Sequence, residues 1–80
     1  MEGAKFENVS FKDVPLSPAV SFKNASLVGA DLSNKNLSNM DFTNANLANA
    51  NLANANLANA NLANVSLANA SLNGKLDFLY

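Results

Sequence analysis

The sequence predicts an all-β solenoid of square cross-section, and three observations predict it. A large apolar residue returns every fifth position along most of the chain. A small apolar residue usually stands two positions before it. From Ser21 onward, the position just before each large residue is always Ser, Asp or Asn. A period of five suits neither regular element. In a helix, fifth residues rotate by about 500°, or about 140° net, and scatter round the axis. In a strand they alternate faces, because five is odd. A chain that turns by about a right angle in each pentapeptide sends every large residue to one interior. Four pentapeptides then close one coil, and each coil buries its core against its neighbours.

Residues 1–3 precede the repeat and are expected as a flexible lead-in. The first large residues are Phe6, Phe11 and Leu16, each preceded at two positions by Ala4, Val9 and Val14. Leu16 to Phe22 is six residues, so one residue is inserted near 17–19, beside Pro15 and Pro18. Proline lacks a backbone donor and is tolerated at bulges, so a bulge is expected there. The period then resumes at Phe22, Leu27, Leu32, Leu37, Phe42, Leu47, Leu52, Leu57, Leu62, Leu67 and Leu72. That makes fourteen pentapeptides over residues 4–74, about 3.5 coils, and at the interstrand spacing a rod on the order of 17 Å long.

Residues one coil apart stack, which predicts four inner columns. They are Phe22, Phe42 and Leu62; Phe6, Leu27, Leu47 and Leu67; Phe11, Leu32, Leu52 and Leu72; and Leu16, Leu37 and Leu57. Four large side chains crowd each coil, so only Ala or a modest Val fits beside them. Two positions after each large residue from Phe22 on stand nine asparagines and two glycines, Gly29 and Gly74. Both residue types suit a tight corner, and stacked asparagines can bond along the rod. Lys35 breaks the pattern by occupying a small inward position, with Met40 at the equivalent position next. Either the backbone swells and the Lys35 amine snorkels to water, or Lys35 marks a binding spot.

Residues 75–80 leave the repeat. Leu76, Phe78, Leu79 and Tyr80 are too apolar for a free tail. They form either a cap on the open last coil or the seam of a homodimer.

In its A-(D/N)-L-x-x repeats over residues 4–74, the chain resembles the pentapeptide-repeat family. The resemblance implies a right-handed quadrilateral β-helix; the handedness rests on the resemblance alone. It also brings the family's best-known activity, DNA mimicry directed at DNA gyrase, a type II topoisomerase. Many gyrase-protecting members dimerise through aromatic C-terminal ends, and Phe78 and Tyr80 look like that arrangement.

Composition weighs these functions. The chain has no Cys, His, Trp, Arg or Gln, which closes off most catalytic and metal chemistry, so no enzyme activity, cofactor or metal site is expected. Five lysines nearly cancel six carboxylates, and nothing from Phe42 to Gly74 is charged. Duplex DNA carries a negative charge about every 1.7 Å, so this rod is a poor mimic. Without a basic patch, direct nucleic-acid binding is not expected. An ice-binding face would need threonine rows, and only Thr43 occurs. The near-perfect run at 44–63 raises a designed scaffold, against which the irregular N-terminal third argues. Asn-x-Ser sites at Asn8, Asn24, Asn36, Asn64 and Asn69 are expected by chance in such a composition. With neither a signal-peptide pattern nor a membrane-spanning stretch, no membrane association is expected and the cytoplasm is the default. The remaining reading is a structural or protein-interaction module with an unidentified protein partner. Its specificity is expected at the slip, around Lys35 and Met40, or in the tail.

Overall fold

The computed structural model describes residues 1–17, 19–72 and the backbone of residues 77–78. The chain is a β-helix whose parallel pairings climb one coil at a time. From Ser21 to Ser71 the register is twenty: Ser21 pairs with Asp41, Ser26 with Asn46, Asp31 with Asn51 and Asn36 with Asn56. The same step carries Asp41 to Asn61, Asn46 to Ser66 and Asn51 to Ser71. Across the slip it is twenty-one, at Lys5 with Ser26 and Ser10 with Asp31. Most pairings involve a single residue, because the chain turns straight afterwards. Among the described residues only two short strands result, β1 (Asn56–Leu57) and β2 (Asp77–Phe78). They lie parallel, Asn56 opposite Asp77 and Leu57 opposite Phe78.

Each corner is a four-residue turn. The carbonyl of the large residue accepts the N–H three positions on, as in Ala25 to Phe22 at 2.9 Å and Ala50 to Leu47 at 3.0 Å. The third residue of the turn takes a positive φ, between 59° and 63° at ten asparagines and 71° at Gly29. A type II turn requires that sign, and Gly or Asn supplies it. At Gly29 the exposed Asn8 amide oxygen lies where a Cβ would stand, but that side chain can turn away, so the positive φ is what favours glycine. The turn geometry starts at the first residue: Ala4 N–H donates to Met1 O at 3.2 Å, and Gly3 N–H to Lys23 O at 2.8 Å. Residues 1–3, expected as a flexible lead-in, thus carry the turn of the repeat.

The residue before each large one holds the turn from outside. Asn46 Oδ1 accepts the Ala48 N–H at 3.0 Å, and Asn51 and Asn56 treat Ala53 and Ala58 the same way. Asp31 and Asp41 do so for Ser33 and Thr43, at 3.0 and 2.9 Å. This local side-chain bond is what Ser, Asp and Asn share. At the corners, Asn44 Nδ2 donates to Asn24 Oδ1 one coil below, at 3.1 Å, a rung of the kind expected from stacked asparagines.

The core sits in the middle coils. Phe22, Leu27, Leu32, Leu37, Phe42, Leu47 and Leu52 are fully enclosed, and Leu57 is nearly so. Ala25, Ala30, Ala45, Ala50 and Ala55 pack beside them, and Met40 fills its small position at 1% exposure. Toward the ends Phe6, Leu16, Leu62 and Leu67 are only partly buried, and Leu72 is 38% exposed. Each coil lends the next its cover, and the outermost coils have one neighbour fewer. The slip lengthens the first coil by one residue, and aromatic rings occupy it. Phe6, Phe11 and Phe22 meet edge to face at 5.4–5.9 Å, and Phe22 stacks on Phe42 at 5.4 Å. Such arrangements suit the ring quadrupoles.

Position along the rod should therefore set the cost of a cavity. Leu47→Ala is expected to cost about 2–5 kcal/mol, and Leu72→Ala well under half of that. Urea unfolding of both variants checks the order; equal losses would refute the placing of the core.

Candidate functional site: an unladdered face in the first coil

A regular pentapeptide is tied to the next coil by up to three backbone bonds. Around Leu27 these run from Leu27 N–H to Asn46 O at 2.7 Å, Gly29 N–H to Ala48 O at 2.9 Å, and Asn46 N–H to Ala25 O at 3.0 Å. Among the described residues, no backbone bond of this kind joins residues 12–20 to the second coil. The ladder stops at Phe11 N–H to Asp31 O (3.0 Å) and resumes at Phe22 N–H to Asp41 O (2.9 Å).

The sequence supplies the causes. Pro15 fixes its own φ and restricts the residue before it, while the N–H it lacks is one that the equivalent Lys5 and Ser10 do not give to the second coil either. The inserted residue delays the next turn by one position, so that it closes from Val20 N–H onto Ser17 O at 2.9 Å instead of onto Leu16. Asp13 stands where Asn8 stands one pentapeptide earlier, yet takes no positive φ. The bulge expected near 17–19 is thus part of a longer parting of the first coil from the second.

One side chain bridges the parting. Lys35 Nζ donates to Val14 O at 2.5 Å. In regular repeats the equivalent carbonyls accept a backbone N–H, as Ala4 O does from Ser26 and Val9 O from Asp31, both at 2.9 Å. Here the Lys35 ammonium takes the place of the Asn36 N–H. Lys35 is half-buried, and its own carbonyl still accepts the Asn56 N–H at 2.9 Å. The turns closing on Lys35 and Met40 measure 3.3 Å, against 2.9–3.0 Å at Ala25, Ala30, Ala45 and Ala50. The corner does open slightly for the larger side chain. The amine, however, turns to a protein carbonyl, where snorkelling would have sent it to bulk water. A desolvated carbonyl needs a donor, and a charged one serves well.

The parting leaves a surface cleft of about 430 Å³, lined by Lys12, Pro15 and Leu16 on one coil and residues 33–36 on the next. Asp31 borders it. The Ser33 hydroxyl and amide, donating to Asp31 Oδ1 at 2.7 and 3.0 Å, hold that carboxyl below its usual range, with the Lys12 charge assisting. Glu7 and Asp41 are lowered in the same way, by Ser26 and Thr43. The cleft offers ammonium and amide donors, which suit binding. Among the described residues no three His, Cys, Asp or Glu side chains gather as a metal site, and no helix is long and apolar enough to cross a membrane.

Two of the three places where specificity was expected, the slip and Lys35, are one place. The twenty-one-residue register sets Lys35 over Val14, as it sets Ser26 over Lys5. That stacking was open to sequence reasoning once the slip was found; the missing ladder was not. Met40 is separate, enclosed in the core. In the tail, the Phe78 backbone pairs with that of Leu57, twenty-one residues earlier. Leu76, Leu79 and Tyr80 lie outside the described residues.

The family model and one solved structure agree with this geometry. Residues 1–74 match the family model described as a pentapeptide repeat region. A pentapeptide repeat protein from the Arabidopsis thaliana thylakoid lumen, solved at 1.7 Å, superposes with a TM-score of 0.72 at 29% identity. The alignment covers 86% of this chain and 61% of that one, so this chain spans about three fifths of its length. A pentapeptide repeat protein (Rfr23) from the cyanobacterium Cyanothece 51142 aligns at 22% identity over 96% of this chain and 89% of that one, with a TM-score of 0.31. No curated protein matches the chain.

If the ammonium stands in for a ladder donor, Lys35→Ala strips Val14 O of its partner. The expected loss is about 1 kcal/mol, read as a lower urea midpoint, whereas Lys23→Ala, at an exposed position, leaves the midpoint nearly unchanged. Equal effects would show that the Lys35 contact contributes nothing special.

Proposed function

The chain belongs to the pentapeptide-repeat family, and on that premise we propose that it is a structural or protein-interaction module and not an enzyme. In this reading it is a right-handed quadrilateral β-helix that presents its walls to a protein partner. The observation that carries it is the filled interior. Leucine, phenylalanine, alanine and Met40 side chains enclose one another in the middle coils, so the surface is what the chain has to offer. That surface is regular. Successive coils present Asn, Ser or Asp beside a small residue, with Ala48, Ala53 and Ala58 half-buried and Ala63 and Ala68 exposed. Such walls are flat, neutral toward the C-terminal end and already bonded within themselves, as the Asn46, Asn51 and Asn56 side chains show. A partner would recognise them by shape and by evenly spaced amide groups, without a large aromatic anchor.

The test is site-specific photo-crosslinking from single positions at Ala48, Ala58, Ala63 and Ala68 in extracts of the source cell. The expected result is one protein adduct formed from neighbouring positions and displaced by excess unlabelled chain. Adducts at twice the 8.4 kDa chain mass assign the contact to a second copy. No displaceable adduct from any wall would refute the reading.

A further inference from the structure

We propose that the cleft between the first and second coils is a docking site for an extended acidic segment of a partner polypeptide. This rests on the protein-interaction reading and names the chemistry of the partner.

The backbone supplies the first argument. In the regular register Asn36 N–H would meet Val14 O, and Asn36 O would meet Leu16 N–H. Among the described residues neither bond is made, and the Lys35 ammonium holds Val14 O instead. Asn36 lines the cleft, and its N–H and C=O, without their ladder partners, leave an open rung there. An adjacent N–H and C=O on an unpaired edge are what an extended peptide pairs with when it adds to a sheet.

Charge supplies the second argument. Lys12 and Lys35 line the cleft from opposite coils, and its lining includes no carboxylate. The Lys35 ammonium spends one of its three donors on Val14 O. Asp31, outside the lining, has Oδ1 committed to Ser33 and also feels the Lys12 charge. An extended peptide bonded to Asn36 projects side chains alternately to its two faces, so carboxylates on alternate residues fall on the lysine side. The cleft is also open in advance. Among the described residues Leu16 N–H and the Asn36 N–H and C=O make no ladder bond across it, so the partner need not first break one, and that lowers the cost of binding.

The test uses the full chain labelled with 15N and three probes: capped acetyl-Glu-Val-Glu-Val-amide, its Gln counterpart, and inorganic phosphate at matched ionic strength. The acidic peptide should move the Leu16 and Asn36 amide signals saturably. The Gln peptide should bind about tenfold more weakly, the loss expected of one charge-assisted contact. Lys12→Gln should weaken the acidic peptide to a similar degree with the urea midpoint unchanged, since no hydrogen bond of the Lys12 side chain holds the fold among the described residues. Equal affinity for the Gln peptide would overturn the charge argument. Phosphate acting as strongly as the peptide would overturn the peptide and leave a plain anion site. No saturable shift with any probe would overturn the docking site altogether. In that case displaceable adducts at the walls would leave the module reading standing, so the two failures are distinguishable.

Discussion

Each coil has to lay its backbone on the coil below, and the rest of the structure follows from that ladder. From Ser21 to Ser71 the rungs repeat every twenty residues, so every pentapeptide there must turn the chain by the same amount. A uniform turn requires Asn or Gly at a left-handed position, and a Ser, Asp or Asn side chain to hold it from outside. A uniform outline requires one large and one small residue inside per pentapeptide. The monotony of residues 44–63 is therefore a mechanical requirement. Hydrogen bonds contribute modestly each when made, but buried ones left unmade are costly. A fault in the ladder must consequently be repaired where it occurs.

The fault at residues 12–20 is repaired incompletely, and that makes it the most distinctive place on the surface. Proline, an inserted residue and a changed turn at Asp13 coincide there. The Lys35 ammonium satisfies one carbonyl and leaves the neighbouring rung open. Elsewhere polar groups are consumed within the walls, as Asn46, Asn51 and Asn56 are by their own turns. A residue that looks like an error in the repeat, a lysine in an alanine position, thus has a structural role. The charge it brings is also what gives the cleft its electrostatic sign.

Most of the architecture was legible in the sequence because a five-residue period admits few solutions. The columns of leucine and phenylalanine, the slip and the left-handed asparagines are all consequences of spacing. Other features were not. The outward Asn and Asp side chains were visible as a pattern, but their bond to the turn depends on the local backbone path. The slip was seen as one extra residue, while the loss of the whole rung required knowing where the turn re-formed, at Ser17–Val20. Neither sequence reading of Lys35, an amine reaching water or a binding spot, includes the Val14 carbonyl, because nothing in a one-dimensional pattern shows that carbonyl to be bare. Residues 1–3 showed no large apolar residue apart from Met1, which takes the corner position a leucine would hold. The partner of the module is a property of a second molecule, and spacing within this one does not encode it.

Native-state amide hydrogen exchange reads the ladder residue by residue and tests its interruption most directly. The Leu16 and Asn36 amides should exchange far faster than Leu27, Leu32 and Leu47, whose N–H groups are bonded to the next coil at 2.7–2.8 Å. Lys35→Ala should speed exchange along the first coil while leaving Leu47 protected. Protection of Leu16 and Asn36 equal to that of Leu27 would mean that the ladder is continuous, and the account of an unladdered face would be wrong.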